Sequence, residues 1–187
     1  PNWGIQTLKH GIPSFATLKP YMEKGLDMTQ LGQFMNRTFT GKVDMEKVKV
    51  IRDIWKGPLV LKGIATEEDM EASIQLGIDG VIVSNHGGRQ VDAGESSIVS
   101  LIKLASNPSY KSKLKIMMDG GIRSGVDLAR AHAVGSEFNF MGRPFMYGVG
   151  ALGEAGGEHT INMFKAHLYQ IMQQLTVDNI HQLQDRL

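Results

Sequence analysis

The chain has 187 residues, 42% of them hydrophobic and 21% charged, enough to bury the core of one domain or of part of a larger one, and the composition excludes a disordered segment. Its 20 basic and 19 acidic side chains leave a net charge of +1 with no basic block, which argues against nucleic acid as a partner. With no cysteine, disulfides and thiolate metal sites are excluded. That composition agrees with an intracellular, cytoplasmic location. No apolar run has the length of a transmembrane segment and no signal peptide is visible, so the chain reads as soluble. Its first residue is Pro1 rather than methionine, from which the natural N-terminus is expected to be absent.

Residues 1–44 mix Pro, Gly, Lys and Met with weak periodicity, and breaks recur at Pro1-Asn2-Trp3-Gly4, His10-Gly11-Ile12-Pro13 and Thr17-Leu18-Lys19-Pro20. The segment is expected to be a long surface excursion with one or two short helices, or a plain connection. Residues 45–187 carry the regular pattern. Asp44 is placed to cap a helix over Met45–Trp55 that Gly57-Pro58 ends. Leu59-Val60-Leu61 then reads as a short buried strand that delivers Lys62, whose ammonium either has a partner or reaches solvent. Thr66-Glu67-Glu68-Asp69 opens the next helix, which runs to Leu76 before Gly77.

The stretch Gly80-Val81-Ile82-Val83 is apolar and β-branched, as in a strand buried on both faces. At its C-terminal end stand Ser84, Asn85, His86, Gly87, Gly88 and Arg89. The two glycines allow a tight turn, His86 can accept a proton near neutral pH, and Arg89 can hold a carboxylate with its planar fork. The alternative is a polar turn with a satisfied histidine and a surface arginine. A helix near Ile98–Ala105, a polar break over 106–113, a strand over 115–118, a helix over about 125–134 and a strand over 138–141 follow. This alternation with short connections is that of parallel βα units.

Lys62, Ser84 with His86, Asp119 with Arg123, and Gly142-Arg143 therefore all fall at C-terminal ends of parallel strands, the end at which a (β/α)8 barrel keeps its active site. Gly120-Gly121-Ile122-Arg123 and Gly142-Arg143 form two successive loops with close backbone approach and a guanidinium, a pairing suited to a phosphate dianion; a turn with a surface arginine is the alternative for either loop alone. The glycine-rich stretch 150–158 lacks the βαβ context of a dinucleotide loop and reads as a short helix and a loop, before a long outer helix over His159–Leu175. His10, His132, His159, His167 and His181 form no metal-ligand set and read as surface or satisfied histidines. Met163 and Met172 read as packing.

The run SNHGGRQVD at 84–92 resembles the signature of the FMN-dependent α-hydroxy-acid oxidases and dehydrogenases, the group of glycolate oxidase and lactate oxidase. LVLKG at 59–63, DGGIRSG at 119–125 and GRPFMYG at 142–148 resemble further motifs of that family in the same order. The resemblance implies the C-terminal half of a TIM barrel, about four βα units with a C-terminal helix, and FMN as cofactor. It implies oxidation of a small L-2-hydroxy acid, with His86 as base and Arg89 as carboxylate anchor. It also implies Lys62 beside the flavin ring, Ser84 at the ring edge, and Asp119, Gly120, Gly121, Arg123, Gly142 and Arg143 on the ribityl chain and phosphate. Asp92 closes the motif, in a functional or a capping role. In that family a long excursion lies near the flavin where residues 1–44 stand.

Only four βα units are readable, whereas a closed barrel needs eight strands. The half-barrel is expected to expose two sheet edges and an apolar interior, so a second copy or a separate N-terminal half of the same barrel is expected as partner. Two rival readings stand beside the oxidase: an inert half-barrel that binds FMN or another phosphate compound without turnover, and a phosphate-binding barrel of the inosine-monophosphate dehydrogenase type. The last is disfavoured because that chemistry uses a cysteine nucleophile.

Overall fold

The computed structural model describes residues 2–11, 17–21, 28–38 and 42–186. They belong to two compact units, Pro1–Asp44 and Met45–Leu187. Pro1 and Ile12-Pro13, at two of the breaks read from the sequence, lie outside the described residues. Unit 1 contains helix α1 (Asn2–His10), a 3-10 turn over Lys19–Tyr21 and helix α2 (Met28–Thr38). In α2, Leu31, Phe34 and Met35 recur at helical spacing; Leu31 is buried and the other two are half-buried.

Unit 2 begins with α3 (Met45–Ile54), which buries Val48, and continues with β1 (Val60–Ile64), α4 (Glu67–Gln75) and β2 (Gly80–Val83). The Thr66 hydroxyl accepts from the Asp69 amide at 3.2 Å, the capping interaction expected from the sequence there. After β2 come α5 (Ser97–Ala105), α6 (Pro108–Lys111), β3 (Lys115–Asp119), α7 (Gly125–Ala133), β4 (Phe138–Phe140), α8 (Arg143–Leu152) and α9 (Gly156–Gln174). Three boundaries depart from the sequence reading. Strand β1 runs past Lys62 to Ile64, because Gly63 at φ +99° takes up a bulge where the pairing with β2 shifts. The polar break contains α6, capped by Asn107 with Pro108 at its first position. The glycine-rich stretch is the end of α8, a 3-10 turn over Gly153–Ala155 and the start of α9, which therefore begins before His159.

The four strands are parallel and ordered β1-β2-β3-β4, each crossover stepping one place along the sheet. A doubly wound sheet would reverse this order at a switch point; steady stepping makes the sheet a partial (β/α)8 barrel. Alternation along the strands gives it two faces. Val81, Val83, Ile116 and Met118 face the helix layer and join Leu101, Leu104 and Phe164 in the main core, each large apolar side chain contributing about 1.5–3 kcal/mol. The opposite face aligns Lys62, Ile82, Met117 and Phe138 in register. There Val60, Phe138 and Phe140 are exposed, the two Phe rings meeting edge to face with centroids 5.1 Å apart. Asn139, in register with Met118, is buried toward the helix layer, and neither amide atom has a hydrogen-bond partner among the described residues.

Two helix contacts depend on glycine. A Cβ on Gly125 of α7 would stand 2.2 Å from the Leu168 amide of α9, and one on Gly156 would stand 2.2 Å from the Gly148 carbonyl of α8. Backbones touch there, leaving no room for a side chain. Beyond α9, a 3-10 turn over Ile180–Asp185 with an Asn179–Gln182 capping box buries Leu183 against Ala129 and Val177 in a satellite cluster. His132 is half-buried, and burial pushes its imidazole below the ordinary range. No described helix is long and apolar enough to cross a membrane.

At the N-terminal end of the sheet, Asp79 ties three elements. Its Oδ2 accepts from the Leu59 amide at 2.8 Å and from Arg52 Nη1 at 3.0 Å, and Arg52 also donates to the Gly57 carbonyl at 2.7 Å. The Leu59 amide bond, followed by Arg52, holds the Asp79 carboxyl below its usual range against an opposing effect of desolvation.

Two predictions arise here. Gly125→Ala lowers the melting temperature sharply, whereas Gly157→Ala, with open space at its Cβ position in α9, leaves it unchanged or raises stability by up to about 1 kcal/mol; differential scanning calorimetry of the pair checks this. Because Asp79 has a folded pKa below its unfolded value, its contribution to stability is complete above the unfolded value of about 4 and is lost as pH falls through the lower folded value. Urea titrations from pH 6 to pH 3 are expected to show a steeper acid loss for the parent than for Asp79→Asn, which is less stable at pH 6.

Candidate functional site

The C-terminal ends of the four strands form one rim. From β1, Lys62 Nζ donates to Ser84 Oγ at 2.9 Å and pairs with Asp119 Oδ2 at 2.9 Å, so its ammonium spans the ends of β1, β2 and β3. Of the two alternatives for Lys62 in the sequence, the partnered one holds, although the side chain retains 44% of its exposure. Ser84 is buried and also accepts from the His86 amide at 3.1 Å. The second Asp119 oxygen, Oδ1, is buried with no hydrogen-bond partner among the described residues. A carboxylate held by one cation and left with one open acceptor is arranged to receive a donor.

The loop after β2 makes a 3-10 turn over His86–Gly88 in which His86, Gly87 and Gly88 all have positive φ, at 56°, 67° and 72°. For the two glycines this conformation is free; for His86 it costs about 1–3 kcal/mol and needs support from its surroundings. Asn85 supplies part of it. Its Oδ1 accepts from the Gly87 amide at 3.0 Å, its Nδ2 donates to the Glu95 carbonyl at 3.2 Å, and its own amide donates to Ser97 Oγ at 3.1 Å. Lys103, then Ser100, hold the Glu95 carboxyl below its usual range. The turn thus presents His86 and Arg89 three residues apart, both exposed at the rim.

The loop after β3 has Gly120 at φ 91° and Gly121 at φ 77°; a Cβ on Gly120 would stand 3.0 Å from Ser97 Oγ. Arg123 is exposed, and its amide donates to Asp127 Oδ2 at 3.0 Å, where Ser124 and Asp127 cap α7. After β4, Gly142 has open space around its Cβ position and precedes Arg143, the first residue of α8. Arg143 donates to the Gly87 carbonyl, linking the loops after β2 and β4.

Between the β2 and β3 loops lies a cavity of about 510 Å³, lined by Gly120, Gly121 and Arg143 together with Asn85, Asp127, Arg130, Ile98 and Met118 among others. Lys62, Ser84, His86, Arg89, Asp119, Arg123 and Gly142 do not line it. Met118 and Ile98 put this cavity on the helix-layer side, while Lys62 belongs to the opposite face. The structure therefore joins Lys62, Ser84 and Asp119 directly, connects His86 to them through Ser84, and brings Arg143 to the His86 turn. Arg89 and Arg123 stand on the same rim without a described side-chain contact to that group. The supports Asn85, Ser97 and Asp127 were not singled out from sequence, although Ser124-Gly125-Val126-Asp127 has the spacing of a helix cap.

The profile of a family described as FMN-dependent dehydrogenases matches residues 1–187. An L-lactate dehydrogenase of Actinobacillus pleuropneumoniae serotype 5b (strain L20) is 35% identical over 173 residues, covering 92% of this chain and 45% of that protein. Among solved structures, one described as the monotopic membrane protein (S)-mandelate dehydrogenase matches 100% of this chain and 48% of its own, with a TM-score of 0.86 and 31% identity. A mandelate oxidase with benzoyl-formic acid matches 77% of this chain and 42% of its own, with a TM-score of 0.72 and 30% identity. The chain spans about half the length of the relatives it matches.

Asn85→Ala removes the side-chain acceptor of the Gly87 amide. It is expected to cost about 1–2 kcal/mol and to speed hydrogen exchange at Gly87 and Gly88 more than at the amides of β3, as read by mass spectrometry or NMR.

Proposed function

The chain belongs to the FMN-dependent dehydrogenase family, and from that premise we propose that it forms the catalytic rim of an enzyme oxidising an L-2-hydroxy acid of the lactate or glycolate kind to the 2-oxo acid. The observation that carries the reading is the Lys62–Ser84–Asp119 cluster with its open Asp119 oxygen, beside two glycines in left-handed backbone. These features fit FMN: the open Asp119 Oδ1 would accept from a hydroxyl of the cofactor, and the glycine loops with Arg123 and Arg143 would suit its phosphate dianion. When bound, FMN supplies the two-electron acceptor for the oxidation.

The protein groups bind, orient and move the proton. Arg89 holds the substrate carboxylate, and His86 takes a proton from the substrate as its hydroxyl-bearing carbon is oxidised. The turn that carries both residues is fixed by Asn85 and Ser84, so the strained His86 backbone holds the imidazole near the anchored acid. Lys62 would favour the electron-rich form of the cofactor through its charge, and Ser84 would hydrogen-bond the ring edge. Asp119, Gly120, Gly121, Arg123, Gly142 and Arg143 would hold the ribityl chain and phosphate.

In this reading, residues 1–44 form an excursion from the middle of the barrel and 45–187 its C-terminal half. The exposed Val60, Phe138 and Phe140, with β1 and β4 as sheet edges, support a requirement for the complementary barrel half or a second copy. The proposed location is cytoplasmic, at a membrane surface. Support for the surface is that the solved structure matching all of this chain is described as a monotopic membrane protein. The mandelate oxidase match, by contrast, leaves out a share about the size of unit 1.

Absorbance spectra of the purified chain with FMN, before and after anaerobic addition of L-lactate, glycolate or mandelate, test the proposal. Bound flavin that bleaches supports it; bound flavin that never bleaches leaves an inert FMN-binding half-barrel; no binding overturns the cofactor assignment. Where bleaching occurs, His86→Gln is expected to keep FMN and slow the bleaching by about 10²-fold or more. Arg89→Met is expected to raise the acid concentration required, and Arg143→Ala to weaken FMN binding.

A further inference from the structure

Resting on the phosphate assignment proposed above, we infer that Arg143 is a positioning residue: its guanidinium ties the phosphate end of the site to the His86 turn, so that a phosphate seated against it holds that turn in place. Arg143 opens α8, 56 residues beyond Gly87 in the chain, and its Nη2 donates to the Gly87 carbonyl. The Gly87 amide is taken by Asn85 Oδ1 at 3.0 Å. Gly87 is thus held at its amide by its own loop and at its carbonyl by another βα unit. The packing is close, since a Cβ on Gly87 would stand 2.7 Å from Arg143 Nη2. His86 directly precedes Gly87, and both have positive φ, so a restraint on Gly87 also restrains the backbone that carries the imidazole.

One guanidinium can serve both ends, because it carries several N–H donors in a rigid plane and the Gly87 carbonyl occupies only Nη2. The same side chain lines the cavity between the β2 and β3 loops together with Gly87, Gly88, Gly120 and Gly121, so an anion there meets Arg143 beside the turn. On the same wall Arg130 is paired with Asp127 at 3.5 Å, whereas among the described residues no carboxylate pairs with Arg143. Its charge is therefore open to a dianion. Arg143 is exposed, and holding a neutral carbonyl costs an exposed side chain conformational freedom. A phosphate that fixes the guanidinium through its other donors has already met that cost, so the Gly87 contact then forms more fully. By reciprocity, the ordered turn binds phosphate more tightly.

The test follows amide exchange in the full 187-residue chain by NMR, with inorganic phosphate or with sodium chloride of equal ionic strength, while phosphorus NMR reports phosphate occupancy. In the parent, phosphate is expected to slow exchange at Gly87 and Gly88 about fivefold or more and to move the His86 imidazole signal, with the β3 amides unchanged. Arg143→Lys keeps the charge without the planar fork; it is expected to bind phosphate and, at matched occupancy, to leave exchange in the turn unchanged. Arg123→Lys alters the other proposed phosphate anchor, which has no described side-chain contact to the turn, and is expected to retain the slowing at matched occupancy. If phosphate occupies the parent and the turn exchanges as before or faster, the coupling is overturned and the phosphate assignment stands. If the slowing survives in Arg143→Lys, or is lost equally in Arg123→Lys, the assignment to Arg143 is overturned. If phosphate does not occupy the parent, both readings fail.

Discussion

Four strands that start at one end of the sheet and stop at the other impose the order on which the site depends. Parallel register sets Lys62 beside Ile82 and Met118 beside Val83, so the chain leaves β1, β2, β3 and β4 at the same level. Every loop that follows a strand opens on that level, and residues far apart in sequence meet there. Asp79 acts at the opposite end: by accepting from the Leu59 amide and from Arg52 it fixes where β1 and β2 begin. A displaced start would shift register by whole residues and turn side chains to the wrong face. At the other end of the same strands, Lys62 and Asp119 meet at 2.9 Å.

The rim stores conformational cost that the rest of unit 2 must offset. His86, Gly87, Gly88, Gly120 and Gly121 all have positive φ, and His86 alone among them has a side chain that disfavours it. The support is polar and local: Asn85 and Ser97 brace the turn from the α5 side, Ser84 from the strand below, and Arg143 from the start of α8. These supports come from two βα units, that of β2 with α5 and that of β4 with α8, so the His86 turn depends on the assembled rim as well as on its own loop.

This division explains what could be seen in the sequence. The strands, their order and the polar residues at their ends were legible because a run such as Val81-Ile82-Val83 is apolar on both faces and glycine punctuates the loops. Lys62 was legible only as a choice between a partner and solvent, since the partner is Asp119, two strands away. The Arg143 contact was not legible as a support, because it joins the loops after β2 and β4 and only the folded rim creates that pairing; Asn85, two residues before Gly87, and Ser97, at the end of the same loop, act locally. The start of α9 is likewise set by packing. Gly153, Gly156 and Gly157 look like loop residues, but α9 begins at Gly156, where the backbone of α8 leaves no room for a side chain.

The two faces of the sheet differ in how complete they are, and that difference links stability to binding. Toward the helices the core is closed, with Val81, Val83, Ile116, Leu101 and Leu104 inaccessible, and Asn139 as a buried polar defect. Toward the other face, Val60, Phe138 and Phe140 remain exposed beside the cluster that ends in Lys62 and Asp119. The helix layer therefore holds unit 2 together, while the opposite face contributes little until apolar surface is laid against it. In the proposed reading, a ligand at the rim would reach Lys62 and Asp119 from this less complete side. By linkage it stabilises whichever state presents the rim intact, by about 2.7 kcal/mol at a hundredfold excess over its dissociation constant.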